Sequence, residues 1–486
     1  MTVTNTRPDA PEGGPRSEPR GADEVPGPRG GLLATARMLR ADPLAGLTQL
    51  RREYGPVVRL TSRPVSAFLV ADPAAIGDGL VGSNRTHAKG AVRRGFSSGE
   101  TVVQPLTLLL GQGLLTSAGE VHRTQRRLMQ PLFHRQRIEG YGDTFARIAD
   151  DTAGAWRDGQ ELDLHAEMTE MTLAIVARTL FGVDLDSEIV AVVRTAIDEN
   201  MAAAGRARTP GFETVERLPL PGPRRRRSAR QALDRVVHEL IEDRRRAGAD
   251  GDDLLSLLLA ARDADTGAGM ADEQVRDEAL TIMLAGHETT ANALSWTYHL
   301  LGREPAIAAR MHAELDDVLA DRLPALADLG RLPYTDAVLR ESMRLYPPVW
   351  AMGRHLTEER EVGGFLLPAG STLLFSQWVV HRDERWWPNP DRFDPDRWLG
   401  ATIGVGAAPP GQPRHSYFPF GAGPRQCIGN TFAHAEGVLA LAAISHGWSF
   451  EPDPGVEIVP QPLVTLRPRD GLPMTAHRRR SGPGRT

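Results

Sequence analysis

The feature that most constrains this chain is the setting of its one cysteine. Cys427 lies in Phe418–Asn430, FPFGAGPRQCIGN, which places Phe420, Gly423, Arg425, Cys427 and Gly429 in the spacing F-x-x-G-x-R-x-C-x-G. A single thiol forms no internal disulfide, so the fold must rest on a buried core. A lone cysteine is usually a small inert core residue. Here glycines crowd it on both sides and an arginine stands two positions before it. Gly421 and Gly423 also resemble the opening of a dinucleotide fingerprint, but the sixth position is Gln426 and no strand–turn–helix pattern surrounds it.

The 486 residues are 41% hydrophobic, enough for a large core rather than a disordered chain. A net charge of −5 gives no general attraction to nucleic acid. The run Arg224–Arg227 is the one local exception, and it reads as the start of a surface helix. The first residues lack the apolar stretch of a signal peptide, which suits a cytoplasmic protein. Two stretches of 19 residues carry no charge, Thr101–Gly119 and Val362–Val380, but Gly and Pro interrupt both. They read as buried loops and short strands, so no membrane span is expected.

Apolar spacing is helical over 44–52, 143–156 and 161–181, and through long runs from about 230 to 346. Val-rich alternation over 54–70 suggests a strand pair, and further strand-like pieces fall at 360–380. Residues 201–230 form a Pro- and Arg-rich interruption, and a helix is expected after Cys427 to about Gly447. No internal repeat or linker divides the chain. The expected fold class is mainly α with a minor β portion, in one large domain over 29–476. The Pro-, Gly- and charge-rich ends, 1–28 and 477–486, read as disordered tails.

The segment around Cys427 resembles the haem-binding segment of cytochromes P450. The resemblance spans motifs from residue 122 to 429 and implies a single P450-type domain enclosing haem b (iron protoporphyrin IX), with Cys427 as the iron ligand. A thiolate on iron needs backbone N–H donors and a shielded pocket. It pushes electron density onto the metal and favours O–O cleavage. Phe420, Gly421 and Gly429 would shape the loop so that the main chain passes close to the porphyrin. Arg425 suits a haem propionate through charge-assisted hydrogen bonds.

Other segments match the family residue by residue. In Ala285-Gly-His-Glu-Thr-Thr290, Glu288 and Thr289 match the family's acid–alcohol pair, which governs dioxygen and its protons. Gly286 would open a groove for dioxygen. His287-Glu288 also begins an H-E-x-x-H zinc motif, but position 291 is alanine, so the second ligand is absent. Glu341 and Arg344 share a helix face. With Arg392 they match a network that holds the proximal haem architecture. His122 and Arg126 match a propionate-binding pair in which the family commonly has Trp where His122 stands. Arg354 matches a third propionate partner.

The resemblance implies a monooxygenase that places one atom of O2 in a lipophilic small molecule. Ala285, Val349 and Trp350 are candidate substrate-pocket residues. The segments VHRTQRRLMQPLF and RLPLPGPRRR resemble bacterial terpene hydroxylases of specialised metabolism. Only 59 residues follow Cys427, too few for a flavin or ferredoxin domain. Electrons are therefore expected from a separate ferredoxin and ferredoxin reductase, docking on Arg123, Arg127, Arg135 and Arg137. A haem-thiolate isomerase or peroxygenase is the alternative, and the intact Glu288–Thr289 pair counts against it.

Overall fold

The computed structural model describes residues 18–28, 31–61, 66–81, 87–88, 92–93, 101–102, 106–184, 187–204, 215–216, 218–248, 251, 253–262, 267, 269–400 and 406–479. It is 58% helical and 12% strand, as the apolar periodicities require of a mainly α chain.

One helix organises everything else. Asp272–Arg303 carries Asp272 and Glu273 in its first turn and Arg303 in its last, charges that complement the helix dipole. From Val275 onward it is buried on nearly every side. Helices Leu164–Val176, Pro333–Leu345 and Asn430–Gly447 pack around it. Asp163 starts the first of these by accepting the N–H groups of His165 and Ala166. Together they enclose the larger core, built from residues such as Phe145, Met168, Leu294, Val338 and Leu439.

A second core lies under a five-stranded sheet. Its order is Val57–Thr61, Ala67–Val70, Thr372–Phe375, Met352–Leu356, His87–Ala88. Val58, Leu69, Leu373 and Phe375 are fully buried there. The charge-free run 362–380 thus becomes strands Phe365–Leu367 and Thr372–Phe375 and a short helix, Gln377–Val380. Among the described residues no helix is long and apolar enough to cross a membrane.

Three expectations are corrected. The run 161–181 is not one helix. Gln160–Asp163 is a strand paired with Pro473–Ala476, and the helix starts at Leu164. The tail boundaries move outward at both ends. Arg20–Gly21 pairs with Phe365–Leu366, and Val25 is 1% exposed in the second core. At the other end Pro473–Arg478 pairs with Trp448–Pro452, so His477 and Arg478 belong to the fold. Local composition is tail-like in both places, but partners distant in sequence satisfy the backbone. Residues 1–17 and 480–486 lie outside the described residues.

The Arg224–Arg227 run begins a long helix, Pro221–Arg246, with a proline in its first turn. Arg226 is buried against the Glu216 carboxylate and Arg227 donates to the Glu216 carbonyl. Arg225 pairs with Glu199 at 3.3 Å. Arg226 and Arg227 are thus spent on intramolecular contacts, while Arg224 and Arg225 stay exposed.

Candidate active site

The loop before helix Asn430–Gly447 carries Cys427. Gly421 and Gly423 both have left-handed φ, +67° and +69°. At Gly423 a Cβ would lie 2.2 Å from the Leu80 carbonyl oxygen, so only glycine fits. Gly429 has an ordinary φ of −91°. Its N–H donates toward the Cys427 sulfur. The Cys427 N–H donates to the Phe420 carbonyl at 2.9 Å. Burial pushes the thiol up, while the Gly429 N–H and Arg126 pull it down. The sulfur-bearing residue is nonetheless solvent-accessible. A residue both deep and accessible lines an interior space.

Three arginines converge beside this loop. Arg126, on helix Gly119–Met129, donates to the Gln426 carbonyl at 2.6 Å. Arg425 donates to the Ser117 carbonyl at 2.8 Å. Arg354 is buried on strand Met352–Leu356, whose Met352 reaches Gly421. Burial lowers Arg354 to about 10. Burial, then Arg354 and Arg126, lower Arg425 to about 10. Arg354 Nε and Arg425 Nη1 are buried and lack hydrogen-bond partners among the described residues. Clustered cations with orphaned donors fit a ligand that brings two carboxylates. His122 is buried on the same helix as Arg126.

Glu341 and Arg344 are both fully buried on helix Pro333–Leu345. Arg344 donates Nε and Nη2 to the two carboxylate oxygens, each at 2.8 Å. Its remaining donors reach the carbonyls of His381, Pro390 and Arg392. The second arginine on Glu341 is Arg397, at 3.2 Å, rather than Arg392. Arg392 supplies only its carbonyl and its side chain is exposed. The reason is a turn at Asn389, with φ +50°, followed by buried Phe393 and a single 3-10 turn, Pro395–Trp398. That turn brings Arg397 and the Trp398 indole inward, the latter 2.9 Å from Glu341. The Pro-Asp-Arg-Trp sequence was the available signal for it.

On the central helix Ala285 is exposed and Thr289 half-buried, although their surroundings are buried. This face therefore opens inward. Thr289 Oγ1 donates to the Ala285 carbonyl at 2.8 Å. Glu288 is 7% exposed and accepts from Thr465 Oγ1 at 2.5 Å; burial raises its pKa. A Cβ at Gly286 would meet Val176 at 2.9 Å. The glycine is a contact point between helices. Next along, Thr290 donates to Glu436 at 3.1 Å, tying the helix that follows Cys427 to the one that carries Thr289.

The family model for cytochrome P450 matches residues 23–472. The chain belongs to the cytochrome P450 family. It is 38% identical to cyclooctatin synthase of Streptomyces melanosporofaciens, over 90% of this chain and 91% of that protein. It is 35% identical to pentalenene oxygenase of Streptomyces avermitilis, over 85% and 88%. The solved haem domain of cytochrome P450DA superposes with a TM-score of 0.80 at 25% identity, covering 94% of this chain and 98% of that one. The protein is a P450 monooxygenase, and its family carries a haem-iron cofactor.

Within this P450 the pocket candidates divide. Ala285 faces inward and Val349 is half-buried. Trp350 instead packs into the second core, its indole donating to the Leu463 carbonyl at 3.0 Å. A buried indole N–H needs such a partner, and the loop supplies it. On the outer side of Arg126 a cleft of about 500 Å³ is lined by Arg123, Arg127, His134 and Pro424. Arg123 pairs with Glu120 and Arg135 with Glu139, which dilutes the basic character of the expected docking arginines.

Proposed function

We propose that this P450 inserts one oxygen atom from O2 into a lipophilic terpene, using haem b ligated by Cys427 and electrons from a separate ferredoxin and its reductase. The observation that carries the cofactor assignment is the convergence of Arg126, Arg354 and Arg425, the last two with orphaned donors, beside an inward-opening Cys427. The terpene class draws support from the relatives named as cyclooctatin synthase and pentalenene oxygenase.

Bound haem would supply dioxygen activation, with the thiolate pushing electron density onto the iron. The protein residues do the rest. The Gly429 N–H steadies the Cys427 sulfur, and Arg126, Arg354 and Arg425, with His122, receive the propionates. Thr289 uses its hydroxyl hydrogen on Ala285, so its oxygen is left to accept from a water. Burial shifts the Glu288 carboxyl toward its protonated form, from which it can pass on a proton. That acid–alcohol pair favours an electron-driven monooxygenase over an isomerase or peroxygenase.

The deciding experiment is the reduced, carbon monoxide-bound spectrum of wild type beside Cys427→Ala. A strongly red-shifted Soret band that is lost in the variant is expected; an unshifted band in folded wild type overturns the assignment. Turnover of a di- or sesquiterpene should require O2 and an electron donor. Product formed with peroxide alone, at the same rate, would favour the peroxygenase.

A further inference from the structure

Glu288 and Thr289 are neighbours in sequence but stand about 100° apart around the helix. Thr289 shares the inward-opening face with Ala285, while Glu288 is driven into protein. Among the described residues its one hydrogen-bond donor is the Thr465 hydroxyl, itself only 6% exposed. Thr465 is held from both sides of the chain. The next residue, Leu466, is fully buried, donates its N–H to the Pro348 carbonyl and accepts the Trp296 indole N–H, each at 2.9 Å. Trp296 belongs to the same helix as Glu288, so donor and acceptor are fixed in one frame.

Beyond Thr465 the chain turns polar. Two residues beyond Thr465, Arg467 donates to Asp198 at 2.8 Å and to Gln461 at 3.3 Å. The Asp198 side chain is 54% exposed and that of Arg467 20%. Arg467 and Asp198 are also the charges within reach of Glu288. His287, adjacent in sequence, is no rival acid. Burial pushes it down to about 4, and its Nδ1 is committed to the Met283 carbonyl.

We propose that Thr465 is the positioning residue for Glu288: it holds the carboxyl in its buried orientation and is the inner station by which protons from the Asp198–Arg467 side reach it. The proposal rests on reading Glu288 as a proton donor. A hydroxyl has one donor and two acceptor sites. As Oγ1 gives its hydrogen to a Glu288 carboxylate, its oxygen takes one from a water, and that water is reprotonated from solvent on the exposed Asp198 side. The hydroxyl is unchanged and one proton has moved inward.

The test uses the haem-loaded enzyme as wild type, T465V, T465S and E288Q. Infrared difference spectra identify the Glu288 carboxylic C=O band as the one absent in E288Q. Loss of the Thr465 donor should shift that band to higher frequency in T465V, and T465S should restore it. The fraction of electrons recovered in product should fall about tenfold in T465V, with a larger solvent isotope effect, and recover in T465S. If T465V fails to fold, T465A gives the same comparison. Wild-type band and coupling in T465V, with both lost in E288Q, overturn the proposal and leave the Glu288 reading standing. Wild-type coupling in E288Q removes the reading and the proposal together, as does a wild type with no E288Q-sensitive band.

Discussion

Two buried carboxyls in this molecule have opposite surroundings. Glu341 accepts from both sides of the Arg344 guanidinium, from Arg397, from the Trp398 indole and from the Asp394 N–H. Among the described residues Glu288 accepts from one hydroxyl, Thr465. The first is a charge fully compensated inside protein, so it can only hold things in place. The second is undercompensated, so burial favours its protonated form. Burial alone therefore does not make a scaffold or a proton carrier; the number and charge of the donors decide.

The largest effect should come from breaking the compensated site. Arg344→Ala leaves Glu341 buried without its main partner and should cost about 3–5 kcal/mol, read as a lower urea midpoint and poor haem incorporation. An unchanged midpoint would mean the network is not structural. Glu288→Gln should behave oppositely, keeping its urea midpoint while turnover falls by about 10²-fold. Equal losses of stability in both variants would erase the distinction between the two sites.

A third carboxyl sharpens the comparison. Glu278 is fully buried and accepts from the Leu114 N–H and Gln274, clamping the loop before Gly119 to the central helix. Burial raises it to about 7, with Asp277 adding in the same direction. The folded protein therefore keeps a proton that the unfolded chain has already released. Its contribution to stability is present at low pH and is lost as pH rises from about 4.5 to about 7. Glu278→Gln should flatten that part of the pH–stability curve, and an unaltered slope would count against the raised value. The smallest effect on folding is expected at the surface. Arg123→Glu with Arg127→Glu should leave stability within about 0.5 kcal/mol. It should slow reduction by an acidic ferredoxin, most at low salt. An unchanged rate and salt dependence would remove this face as the docking site.

The predominance of helix, the Cys427 loop and the Glu341–Arg344 pair were legible because each is local. A periodic apolar face, a run of glycines around a thiol and two charges three residues apart on one helix are written in adjacent residues. The proposed roles of Glu288, Thr289 and the arginines at 126, 354 and 425 came only through resemblance, since an isolated Thr or Arg carries no such meaning. What adjacent residues could not show is which side chain a turn swings inward. That choice went to Arg397 instead of Arg392, because Asn389 and Phe393 set the turn. It sent Trp350 into the second core, and it set Gly286 so near Val176 that an added Cβ would lie 2.9 Å from that side chain. It also joined Thr465 to Glu288 across 177 residues, and gave the ends near 20 and 478 their strand partners. Adjacent residues set each helix face and each side chain's chemistry; which side chains meet follows from packing between distant segments, which no local pattern encodes.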